Sequence, residues 1–368
     1  LMDIIPWYDQ RTEKIRNNFI KKNKDSKIYK FTGLSSDHFY SVYKILWIKK
    51  YKPNIYSKIY KWLPVNDYYA MRLSGKISTD YSQAMRTLLF NPEKLKWSKE
   101  MIKFFKIKHN ILPKIINAGD KKGYFTNYIK KKLSLKYNSV IVAGGHDHFV
   151  GIYALGGFQE NTAINSMGSA EAIAINTDKY FINKNLKKGK FISGVFKTKY
   201  KTSYYVVGSI LTSGIIIEWF KDIFKIKKYN ELKKLINNKQ NKNILFFPQF
   251  EYSHSPINFI KTNGFITGLD RSTEISDIYM AMLKCLSFDT KNALDYICNE
   301  TNIKINKIIC SGGSVQNIDW MKIRANVFKF NLNIDTNIEN VSLGSAILAG
   351  IGSNIYKDDK DAFKKIKN

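Results

Sequence analysis

The chain has 368 residues, 44% hydrophobic and 14% aromatic, which is enough apolar material for two domains with their own cores and excludes a disordered chain. Its formal charge of +30 comes almost wholly from lysine, because arginine occurs only at Arg11, Arg16, Arg72, Arg86, Arg271 and Arg324. Base readout and phosphate clamping favour the arginine fork, so no specific nucleic-acid partner is expected.

The excess of Lys, Ile, Asn and Tyr reads as drift toward AT-rich codons, although a dispersed positive field still draws anionic substrates. Cys285, Cys298 and Cys310 are odd in number and lack metal-ligand spacing, so the expected setting is reduced and cytoplasmic. Leu1 to Trp7 has no basic n-region or apolar h-region, so no secretory signal is expected. The longest apolar run, Tyr204 to Phe220, is broken by Gly208, Gly214 and Glu218, and no membrane association is expected. A chain that opens on Leu1 and not on Met is expected to be a fragment.

In chain order, Ile4 to Arg11 leads into a polar, Lys-rich helical segment. Phe39 to Tyr51 has helical apolar spacing, with Tyr43, Leu46 and Trp47 on one side. Ile55 to Leu63 and Tyr68 to Leu73 repeat that pattern, and Trp97 to Phe105 predicts another helix. Ile111 to Phe125 is punctuated by Pro and Gly and reads as a looser connection before a strand at Val140. After Gly144-Gly145 comes a small-residue helix from Phe149 to Gly157, then two strands around the turn Met167-Gly168-Ser169-Ala170. Phe191 to Gly208 predicts two strands around a Lys-rich turn, Ile215 to Ile226 a helix, and Phe246 to Pro248 a short strand. A loop, Gln249 to Asn263, carries Glu251, His254 and Pro256. Ser276 to Asn299 is the longest predicted helix, followed by a strand at Ile308, a helix over Ile318 to Phe328, a short strand and a helix over Leu343 to Gly350.

Strand, glycine turn and helix start thus recur at Gly144-Gly145, at Gly208 with Gly214, and at Gly312-Gly313. Glycine lets backbone N–H groups approach phosphate, and a helix N-terminus adds a favourable dipole; an ordinary tight turn explains any one of them equally. Neither a Gly-x4-Gly-Lys-Ser/Thr loop nor a Gly-x-Gly-x-x-Gly fingerprint is present, so a nucleotide site would have to be assembled from separate turns. Asp147, at a strand end, is a candidate general base for a hydroxyl attacking a γ-phosphate, with a helix N-cap as the rival role. His146 and His148 would point away from Asp147 on a strand, and no carboxylate or cysteine cluster completes a zinc site around them, so no protein-bound metal is expected.

These residues resemble the FGGY carbohydrate kinases along almost the whole chain. The resemblance runs through Trp7-x-Asp9-x-Arg11, the Phe39 to Trp47 helix, Thr79-Asp80-Tyr81-Ser82-x-Ala84-x-Arg86, and Gly144-Gly-His-Asp147. It continues through Ser166-Met-Gly168-Ser169, Gly214-x-x-x-Glu218-Trp219, Gly312-Gly313-Ser314-x-x-Asn317-x-x-Trp320 and Leu343-Gly-Ser-Ala. It implies an α/β, actin-like ATPase (ribonuclease H-like) architecture of two lobes: residues 1–155 bind the sugar and residues 156–368 bind the nucleotide. It implies ATP and Mg²⁺ as cofactors and a small sugar or polyol as substrate. Asp147 would deprotonate the attacking hydroxyl, and Gly168 and Ser169 would contact phosphate. Gly214, Gly313 and Asn317 would hold the nucleotide. Trp7, Phe39 and His148 would line the sugar side, although Trp7 and Phe39 serve equally as core aromatics. Glu218 departs from the glutamine of glycerol kinases, and an anion beside ATP is tolerable only if it faces away.

The family's opening Asp-x-Gly-Thr strand occurs nowhere in the sequence, so the first lobe is expected to be incomplete at its N-terminal side. The alternatives are an inactive, actin-like nucleotide-binding pseudokinase or decayed gene product, an intact kinase whose remaining part is absent from this sequence, and, least favoured, a basic nucleic-acid binder. A homodimer is a further expectation, with no residue to place its interface.

Overall fold

The computed structural model describes residues 3–20, 24–156, 158–236, 243–250, 255–256, 263–337 and 339–366. The residues before Val140 fold mainly as helices. The apolar spacing after Phe39 produces α1 (Ser41–Tyr51), and Asp80 caps the short α2 (Tyr81–Met85) by accepting from Ser82 and Gln83 N–H. Ile28, Val42, Tyr43, Ile45, Met85 and Phe105 are among the buried residues of this lobe's core.

Three expectations here are corrected. The helix predicted over Ile55 to Leu63 covers only Pro53–Ser57. Trp97 lies in a short strand, Lys96–Trp97, paired with Phe90–Asn91, and its helix begins at Lys99, where Ser98 caps it. The looser stretch after Ile111 holds two strands: Ile115–Ile116, parallel to Thr79–Asp80, and Lys121–Tyr124, antiparallel to Val140–Val142. Runs of two to four residues are too short for a period-2 pattern to be read from sequence.

The turn at Gly144-Gly145 leads into α3 (Asp147–Ala154). The main sheet then begins with β1 (Thr162–Met167) and β2 (Glu171–Thr177), the predicted hairpin, and continues with β3 (Ile192–Lys197) and β4 (Thr202–Ile210). After α4 (Gly214–Ile223) and the long α5 (Ile275–Thr301) come β5 (Lys307–Ser311), α6 (Ile318–Phe328), β6 (Leu332–Ile334) and α7 (Asn340–Gly352). The strand order is β6-β5-β1-β2-β4-β3; β5 is parallel to both of its neighbours and the other pairs are antiparallel.

Both sheet faces are covered, which is why apolar residues stand at successive positions in stretches such as residues 172–175 and 308–310. Ala163, Ile173, Ile175, Val206, Ile308 and Cys310 face a core shared with α4, α5 and α6. Their sequence neighbours Ile164, Ala174, Tyr205, Val207 and Ile309 face a second core shared with α3 and α7. Edge strand β3 closes against the first lobe: Val195 belongs to that lobe's core, Ser193 N–H donates to Gly33 O at 2.9 Å, and Tyr29 Oη donates to Phe191 O at 3.1 Å. Among the described residues, no helix is long and apolar enough to cross a membrane.

Candidate functional site

Three backbone turns meet at one end of β1 and β5. The β1–β2 turn is closed by Gly168 N–H donating to Ala170 O at 3.0 Å. The first two residues of α4 then dock on it: Gly214 N–H donates to Gly168 O at 3.2 Å and Ile215 N–H to Ser169 O at 3.0 Å. A Cβ on Gly214 would lie 2.5 Å from Gly168 O, so no larger residue permits this approach. The third turn follows β5. Gly312 has φ +105°, and a Cβ there would lie 2.5 Å from Met167 O. Gly313, next in line, faces open space, with no atom within 4 Å of a Cβ built on it. Of the proposed nucleotide residues, Gly168, Ser169 and Gly214 are therefore in direct contact, and Gly313 stands beside them. Asn317 caps α6, its Oδ1 accepting from Trp320 N–H at 3.1 Å, while its Nδ2 donates to Tyr279 Oη at 3.4 Å.

A buried network underlies these turns. Glu171, the first residue of β2, is fully enclosed and accepts from the Arg324 guanidinium of α6 at both carboxylate oxygens, Nη2 to Oε2 being 3.1 Å. It also accepts from Asn165 Nδ2 at 2.8 Å, Ser213 Oγ at 2.8 Å and Thr290 Oγ1 at 2.6 Å. Burial pushes this carboxyl up, but the Arg324 charge and these hydrogen bonds outweigh it, so it lies below the ordinary glutamate value. The ion pair thus ties together β1, β2, the start of α4, α5 and α6. Sequence reasoning missed it, because 153 residues separate its partners.

Asp147 is the first residue of α3 and its cap is His146, which replaces the N-cap role considered for Asp147. Its side chain is 78% exposed, with His146 Nδ1 3.0 Å from Oδ1. The expectation that His146 points away is therefore wrong: the strand ends at Val142, so its alternation does not extend to position 146. His148 N–H also donates to Asp147 Oδ1 at 2.7 Å. The His146 hydrogen bond, ahead of partial burial, which opposes it, holds the Asp147 carboxyl well below the usual range. Burial, with His146 and Arg86 nearby, pushes the His148 imidazole down to about 4, so it is neutral at pH 7.

Trp7 is 71% exposed and packs edge-on against Tyr8 at 5.8 Å, so the core role is excluded for it. Phe39 is half-buried at the margin of the first-lobe core, against His38 and Tyr40. The chain just beyond Phe39 is tied to the segment after α2, through Ser41 N–H to Arg86 O and Val42 N–H to Thr87 O, both 3.2 Å. The Arg86 guanidinium lies 5.3 Å from the ring centre of Phe149, next to His148. Glu218 pairs with Lys221 at 2.9 Å. Glu251 and His254 lie outside the described residues. The described residues contain no group of three or more His, Cys, Asp or Glu that could hold a metal, and all three cysteines are free.

Residues 1–154 match the N-terminal domain, and residues 163–353 the C-terminal domain, of the FGGY family of carbohydrate kinases. The chain is similar to a xylulose kinase of Lactococcus lactis subsp. lactis, 27% identical over 364 residues, with 98% of this chain and 71% of the relative covered. It is also similar to a glycerol kinase of Thermococcus kodakarensis, 26% identical over 367 residues, with 98% and 72% covered. Among solved structures, Plasmodium falciparum glycerol kinase with ADP superposes with a TM-score of 0.92 at 24% identity, covering 100% of this chain and 74% of the other. A ligand-bound xylulose kinase from Lactobacillus acidophilus superposes with a TM-score of 0.88 at 22% identity, covering 99% and 74%. These superpositions establish the two-domain, actin-like ATPase fold.

Proposed function

The chain belongs to the FGGY family of carbohydrate kinases, and on that premise we propose that it transfers the γ-phosphate of ATP to a hydroxyl of a small sugar or polyol. The observation that carries this reading is the docking of the Gly214 and Gly312 turns on the Met167 to Ser169 backbone, which leaves Gly313 open to solvent. Such a floor of side-chain-free backbone suits a nucleotide, whose phosphates need close approach to N–H groups. Gly168 and Ser169 take the phosphate, and Gly214, Gly313 and Asn317 the remainder of the nucleotide. Mg²⁺, brought by the nucleotide, would supply neutralisation of charge on the transferred group.

Asp147 accepts the proton of the attacking hydroxyl. Its exposed, ionised carboxylate is available at neutral pH, and His146 orients it. Neutral His148, Trp7 and Phe39 line the sugar side, in a first lobe that divides from the second near residue 155. The dispersed lysine charge needs no nucleic-acid partner, and the free thiols suit a cytoplasmic setting.

A coupled assay with glycerol and D-xylulose, beside calorimetric ADP binding, tests the reading. Asp147→Asn should lower kcat by about 10²- to 10⁴-fold and leave ADP affinity unchanged. Nucleotide binding by the unaltered chain without any turnover would favour the pseudokinase reading, and full activity of Asp147→Asn would refute Asp147 as the base.

A further inference from the structure

The loop that carries Asp147 is held from outside by a buried serine of the first lobe. Ser82, in α2, is 1% exposed, and its Oγ accepts a hydrogen bond from His146 N–H at 2.8 Å. A hydroxyl has one hydrogen, and here it is directed to Asp80 Oδ1, 2.5 Å away. The direction is forced, because the His146 N–H can only donate and so leaves Ser82 to donate onward. Asp80, also 1% exposed, accepts in addition from the Ser82 and Gln83 N–H groups at 2.8 and 3.2 Å. The relay therefore begins on a buried carboxylate whose own position is fixed by the start of α2.

On its other side the His146 carbonyl accepts from Phe149 and Val150 N–H, both at 3.0 Å. His146 is thus pinned at both its N–H and its C=O, and Asp147 is the next residue. Gly145 allows the approach: a Cβ there would lie 3.0 Å from Ser82 Oγ, 3.1 Å from Val150 Cγ2 and 3.3 Å from Phe196 Cε2. Held this way, the His146 ring places Nδ1 3.0 Å from Asp147 Oδ1.

We propose that Ser82, oriented by Asp80, is a positioning residue for the Asp147 carboxylate and acts through the backbone of His146. The role rests on the reading of Asp147 as general base. Removing the hydroxyl leaves the His146 N–H without a partner and frees the loop to shift, while the glycine turns of the second lobe stay in place. The expected consequence is a split in the kinetics: kcat falls and the KM values do not rise, because the sugar and nucleotide contacts are made by other residues.

The test compares Ser82→Ala with the unaltered chain in two ways. Ring ¹H–¹⁵N spectra should show the His146 signals displaced and those of His38 and His109 unmoved. With glycerol or D-xylulose, kcat should fall by about 10- to 100-fold, the loss typical of a misplaced reacting group, with KM and ADP affinity within about twofold of the starting values. An unmoved His146, or a common displacement of all the histidines, would overturn the proposal, as would a loss confined to KM. If the unaltered chain turns over neither substrate, the kinase reading fails for them, and a selective His146 displacement still establishes the positioning.

Discussion

Replacing Arg324 with methionine should be among the most destabilising substitutions in the second lobe. The Arg324 and Glu171 side chains are both fully inaccessible, so Glu171 would keep its charge-stabilising hydroxyls and amide but lose the Arg324 cation bonded to it. Breaking a buried pair on one side costs about 3–5 kcal/mol, because a charge is left without compensation. For a lobe of this size that corresponds to a fall in Tm of roughly 6–20 °C. The double variant Glu171→Met with Arg324→Met should recover much of the loss, since the desolvation cost of both charges disappears. Urea unfolding of the four proteins in a cycle gives the coupling directly. A loss below about 1 kcal/mol for Arg324→Met would show that the pair contributes no more than an exposed one and would refute the argument. The folded Glu171 carboxyl lies below its ordinary value, so the pair's contribution is present above the unfolded pKa and lost as pH falls through the folded one.

Two further outcomes follow from the geometry. Gly312→Ala places a side chain at φ +105°, ψ 176° against Met167 O, which should cost about 1–3 kcal/mol of stability and weaken ADP binding about tenfold by calorimetry. Burial, helped by the Asp67 charge, raises the Asp80 carboxyl to about 6, so its contribution is full below the unfolded value and is lost as pH rises toward 6. Relative to Asp80→Asn, the unaltered chain should therefore lose roughly 3 kcal/mol between pH 4 and 7 in urea unfolding, and parallel stability curves would refute this.

The second lobe was legible in the sequence because its signals are local. α6 lies where the spacing of Ile318 to Phe328 predicts it, and the hairpin around Gly168 follows from two apolar runs and a glycine turn. The meeting of the turns was legible only as three similar fragments; their contact depends on the sheet order that brings β5 beside β1. The buried ion pair and the bond from Ser82 to His146 were invisible, since each joins residues far apart in the chain. His146 was misread because strand alternation was carried past the glycines that end the strand. In the first lobe the short strands around Ile115 and Lys121 were missed, because pairing and not propensity makes them.

The contact of β3 with the first lobe bears on how the chain is made. Val195 is part of the core that also holds Ile28, Tyr43 and Phe105, and Gly33 bonds to Ser193. A ribosome delivers Ile28 more than a hundred and fifty residues before Val195, so that core remains open on one side after the last of its own helices has emerged. The lobe that comes first in sequence is thus completed only by a strand of the lobe that follows it. A cut near residue 155, natural though it is in sequence, would leave an apolar wall with nothing against it.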